Sequence, residues 1–97
     1  MKYYNKLTPA ELERLALLAE EMGEALQVVG KILRHGYMSY HPHSPTVPNR
    51  MLLENEVGHV LCAIQFLVNA DDIDEVSVED SKRHKSVRVH EYLHHQK

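Results

Sequence analysis

TPAELERLALLAEEMGEALQVVGKILRHG, residues 8–36, decides the fold, because it reads as one long helix. Thr8 is a capping residue and Pro9 suits the first helical position, where an amide has no partner to lose. Glu11, three residues after the cap, can reach back to the cap's own amide. From Leu12 to His35 only Gly23 and Gly30 interrupt a run of helix formers, and Gly36 is a natural stop one residue past the end. The spacing predicts a helix over about 9–35, roughly 40 Å long at 1.5 Å per residue. A rod of that length has to bury its apolar surface against something else.

Working outward, YMSYHPHSPTV, residues 37–47, carries Pro42 and Pro45 among Ser, Thr and His, and residues before proline are pushed away from helical angles. It predicts a loop over 36–48, long enough to shape a binding site. Asn49 is the expected cap of a second helix over about 49–69. After the acidic link ADDIDEV, Ser77-Val78-Glu79-Asp80 is a further cap-like start, for a third helix over about 78–94. No segment calls for a strand. The expected fold is an all-α helical bundle, one domain over 1–97 with three main helices.

Ninety-seven residues bury only about 60–70% of the unfolded chain's surface, so the core is expected to be completed by oligomerisation, as a homodimer or homotetramer. Eleven Lys and Arg against fourteen Asp and Glu give a net charge of -3. With no long basic stretch, duplex nucleic acid is not an expected partner. Cys62 excludes an internal disulfide and a thiolate metal site; in an apolar helical run it is expected to be a buried thiol, which fits a reducing compartment. The start, MKYYNKLTPAELERL, has no apolar h-region, and the apolar runs fall short of the ~20 residues of a membrane span. The expectation is a cytoplasmic protein with no membrane partner.

The acids are placed unusually relative to the apolar faces. Leu15, Leu18, Met22, Leu26, Val29 and Leu33 form one stripe of the first helix, the expected core face. Leu17, Glu21, Glu24, Val28 and Ile32 share a second strip, which puts two carboxylates among aliphatic neighbours and predicts a first helix buried on two sides. On the second helix Leu52, Leu53, Val60, Ala63, Ile64 and Leu67 all fall within about 80° of Glu56, and His59 lies one turn on. An unpaired buried carboxylate costs several kcal/mol, so Glu56 has to be protonated, paired with a base or bound to a cation. Glu20, Glu21 and Glu24 have the alternative of a solvated helix face. If Glu21, Glu24 and Glu56 converge, a divalent cation resolves their repulsion. All-oxygen ligation suits Mg2+ or Mn2+ better than Zn2+.

Two segments, EEMGEALQVVGKILRHG at 20–36 and NRMLLENEVGHVLCAI at 49–64, carry a family likeness. Glu-x-x-Glu on one helix followed by Glu-x-x-Asp on the next resembles the all-α MazG-like nucleoside triphosphate pyrophosphohydrolases, especially their short phage-encoded members. The closing KSVRVHEYLHHQ, 85–96, is similar to the C-terminal helix of those members. The resemblance implies Mg2+-dependent hydrolysis of a nucleoside triphosphate to a monophosphate and pyrophosphate, with Glu21, Glu24 and Glu56 as metal ligands. Glu20 matches an acid often adjacent to the first ligand, with a role in orienting water or a place at the surface.

His59 stands where the family has Asp, in Glu56-Val57-Gly58-His59. As a metal ligand it would lower Mg2+ affinity, shift preference toward Mn2+, and reduce or abolish activity. The Pro/His loop is longer than the family's connection. A triphosphate also needs cations from the protein, for which Lys31 and Arg34 on the first helix and Lys82 and Lys85 on the third are the candidates. Tyr37 and Tyr40 would stack on a base or pack on the helix end.

Overall fold

The computed structural model describes residues 4–96 and contains three α-helices, α1 (Pro9–His35), α2 (Asn49–Asn69) and α3 (Glu75–Arg88), followed by a short 3-10 turn, Val89–Glu91. The described residues form no strand; one isolated bridge joins Tyr40 to Pro48. The start of α1 is a complete capping box. The Glu11 amide donates to Thr8 Oγ1 at 3.1 Å, and the Thr8 amide donates to Glu11 Oε1 at 2.8 Å. At the far end Gly36 takes φ 90°, a conformation that a side chain would strain, and its amide closes the last turn on the Ile32 carbonyl.

α1 and α2 pair along their length. Contacts join Gly36 to Asn49, Glu21 to His59, and Arg14 to Asp72, so residue numbers rise on one helix as they fall on the other, and the pair is antiparallel. Val28 of α1 and Ala63 and Leu67 of α2 are the buried apolar side chains between them. The contact face of α1 is the strip holding Leu17, Glu21 and Val28. The stripe expected to face the core lies about 120° further round. Leu18 of that stripe is half-buried, but Leu15, Met22, Leu26, Val29 and Leu33 are exposed, Leu26 at 71% and Leu33 at 82%. Cys62 is likewise exposed, contrary to expectation, because it falls on the side of α2 opposite Ala63 and Leu67.

Two helix starts also differ from expectation. Pro48, not Asn49, is the cap of α2. Asn49 lies inside the helix, 5% exposed, and its Nδ2 donates to the Gly36 carbonyl at 3.1 Å. Its side chain is therefore used to hold the loop. α3 begins at Glu75, not Ser77 or Val78, because Asp74 caps it by accepting from the Ser77 amide and hydroxyl. It stops at Arg88, not His94; it has no buried residue, so no packing stabilises further turns.

α2 ends in a Schellman motif. The Asp72 amide donates to the Leu67 carbonyl, the Asp71 amide donates to the Val68 carbonyl, and Asp71 takes φ 59°. This corner aims Asp72 at Arg14, which grips it through Nε at 2.6 Å and Nη2 at 3.0 Å. Beyond the corner α3 makes no extensive contact with the helix pair. The result is open, with a radius of gyration of 17.0 Å against the ~12–13 Å of a compact chain this long. By length and composition alone α2 could cross a bilayer, whereas the sequence runs suggested it could not. It carries Glu54 and Glu56, and an acidic side chain near the centre of a spanning helix costs roughly 2.5–3.5 kcal/mol.

Candidate metal centre

The antiparallel pairing brings Glu21 and Glu24 of α1 against Glu56 and His59 of α2. One ligand atom from each of the four lies within 4.8 Å of the others. The i, i+3 spacing on each helix produces this, since it stacks two side chains on one face and the faces then meet. Glu21 and Glu56 are largely withdrawn from water, with side chains 16% and 18% exposed, while His59 sits at the rim at 49%.

His59 Nδ1 lies 3.4 Å from Glu21 Oε2 and 3.4 Å from Glu56 Oε2, midway between carboxylates of different helices. Those same two oxygens are buried and accept no hydrogen bond. Glu24 completes the group, and its carboxyl is held above the usual carboxylate range. The negative charge of Glu21 is the main cause, followed by burial, and then by the charge of Glu56 and a hydrogen bond with it; Glu20 contributes least.

Such a group fits a divalent cation on two counts. Buried, orphaned carboxylate oxygens are ready acceptors for a charge, and three oxygens with one imidazole nitrogen are donors that Mg2+ accepts in part and Mn2+ accepts fully. Cis ligands of an octahedral ion 2.0–2.1 Å away are ~3 Å apart and trans ligands ~4.2 Å, so a 4.8 Å cluster needs only a small contraction.

The remaining sequence candidates are distributed unevenly. Glu20 is exposed beside the cluster and near enough to act on Glu24, but is outside the four converging groups. Lys31 and Arg34, two to three turns along α1, line a cavity of about 330 Å³ between the end of α1, the loop and the start of α2. Tyr40 lines it too, whereas Tyr37 is exposed elsewhere on the loop. Lys82 and Lys85 do not join the site within this chain. They are exposed on α3, and Lys82 pairs with Glu79 of its own helix at 3.9 Å. Periodicity gave no signal for the Arg14–Asp72 clasp, nor for His35 and His41, which also line the cavity.

The chain matches no family model, no curated protein and no solved structure.

Proposed function

We propose that this chain is a metal-dependent nucleoside triphosphate pyrophosphohydrolase of the MazG-like type, which hydrolyses an NTP or dNTP to the monophosphate and pyrophosphate. The observation that carries the reading is the convergence of Glu21, Glu24, Glu56 and His59 around two buried carboxylate oxygens that accept no hydrogen bond. Glu21, Glu24 and Glu56 would hold Mg2+ or Mn2+, with His59 as the fourth donor. When bound, the ion supplies charge neutralisation at the phosphates. The residues of the chain do the rest: Glu20, exposed next to the cluster, orients water, and Lys31 and Arg34, further along α1, bind phosphate oxygens of the substrate. The chain works in the cytoplasm as a homodimer or homotetramer. The exposed Leu26 and Leu33 on α1 and Leu61 and Phe66 on α2 support this, since they leave both helices with an unburied apolar side.

The test is incubation of the purified protein with each NTP and dNTP and Mg2+ or Mn2+, reading released pyrophosphate. Release from at least one nucleotide is expected, and none from any nucleotide overturns the activity. One observation favours a second reading, that of a catalytically weakened relative. His59 Nδ1 stands between Glu21 and Glu56, where it can substitute in part for a cation. His59→Asp separates the two. A large gain in hydrolysis identifies a weakened site, and a loss identifies His59 as a working donor.

A further inference from the structure

The 330 Å³ cavity at the end of α1 has a lining of one charge sign. Lys31, Arg34, His35 and His41 face it together with Tyr40 and Asn49, and no carboxylate lines it, in a chain whose net charge is negative. Its walls are fixed by short local interactions. Pro42 and Pro45 each occupy the second position of a turn, closed by the Ser44 amide on the His41 carbonyl and by the Val47 amide on the Ser44 carbonyl. Three further bonds tie the loop to α2: the Asn49 amide to the Ser39 carbonyl, the Arg50 amide to the Tyr37 carbonyl, and Asn49 Nδ2 to the Gly36 carbonyl.

Those bonds use the first amides of α2, so an anion in the cavity has to be held by side chains. His41 is prepared for that. Its Nδ1 accepts the His43 amide at 3.1 Å, which puts the proton of a neutral ring on Nε2 and makes that nitrogen a donor. At about 330 Å³ the cavity is at the small end of ligand sites, with room for a phosphorylated group beyond a lone ion. Lys31 follows Glu24 by seven residues, about 10 Å along the helix, less than the length of an extended nucleotide.

We infer that this loop-built cavity is a phosphate subsite, in which Arg34, Lys31 and the His41 Nε2–H bind phosphate oxygens at the end of the ligand remote from the carboxylate cluster. The identity of the ligand as a nucleotide rests on the pyrophosphohydrolase reading; recognition of phosphate does not. The full chain is therefore titrated calorimetrically with pyrophosphate in EDTA, with AMP and adenosine as parallel probes, and backbone amides are followed by NMR. The expected result is saturable binding of pyrophosphate and AMP but not adenosine, with shifts confined to residues 31–52. Lys31→Gln with Arg34→Gln should weaken pyrophosphate binding at least tenfold and His41→Gln about threefold, while Arg83→Gln, a cation of α3 outside the cavity, changes it less than twofold. Circular dichroism confirms that each variant is folded.

Absence of saturable pyrophosphate binding, an unaltered affinity in the Lys31/Arg34 variant, or binding of adenosine as tight as AMP would each overturn the inference. The readout needs neither metal nor hydrolysis, so it stands or fails separately from the pyrophosphate-release assay.

Discussion

Replacing Glu56 by Gln keeps the volume of the side chain and removes one of the charges that crowd the cluster. Glu21 and Glu56 each bring a carboxylate oxygen within 4.8 Å of the other, and two unit charges at that separation repel by roughly 3.5 kcal/mol at an effective dielectric of 20. His59, 3.4 Å from both, and water at the rim reduce what is measurable to about 1–2 kcal/mol. For a chain of this size that is a rise of about 5–15 °C in the Tm of the metal-free protein. Divalent metal should then stabilise the two proteins unequally. At a hundred times its Kd it stabilises the wild type by about 2.7 kcal/mol. The variant, one donor short, should gain little. Thermal melts in EDTA and in a series of Mg2+ and Mn2+ concentrations supply both comparisons. A lower metal-free Tm for Glu56→Gln, together with a wild-type Tm that ignores both ions, would show that the carboxylates neither strain the fold nor bind a cation.

Arg14 holds the Asp72 carboxyl below its usual range, so the clasp contributes stability above about pH 4, the ordinary Asp value, and loses it as pH falls through the lower folded value. Arg14→Gln should flatten that acid limb in denaturation curves taken from pH 6 to 2. Glu24 behaves in the reverse sense: its raised value means that ionisation opposes folding, so metal-free protein should gain stability relative to Glu24→Gln as pH falls from 7 toward about 4.3. Asp71→Gly removes a side chain from a left-handed position and should raise stability by roughly 0.5–1 kcal/mol in urea titrations. Leu26→Lys with Leu33→Lys, both exposed within the chain, should lower the molar mass seen by light scattering and leave the helix content unchanged.

The sequence made α1 legible because its signals are local: Thr8, Pro9 and Glu11 at the start and Gly36 at the end act within a turn of themselves. Glu56, centred on the apolar side of α2, marked itself as a carboxylate that is protonated, paired or bound to a cation, and a meeting with Glu21 and Glu24 was one of those alternatives; the structure brings the three together with His59. The sequence showed two apolar strips on α1 without showing which of them the chain covers itself: the strip of Leu17 and Val28 is covered, and the stripe of Leu26 and Leu33 is exposed in the single chain. The start of α3 shifted because Asp74 and Ser77 are both good caps, and which one is used depends on the corner set by Asp71 and Asp72. The cavity histidines were hidden for a different reason. His35 and His41 are separated by a loop whose path depends on Asn49, a residue whose use as a staple has no signature of spacing.

Asn49 against Gly36 at one end of the helix pair and Arg14 against Asp72 at the other fasten α1 and α2 on both sides of the acidic residues. Sliding by a single turn, about 5.4 Å, would break both fastenings at once. Glu21, Glu24, Glu56 and His59 are thus kept in register by the fold itself, and their alignment is settled when the two helices dock.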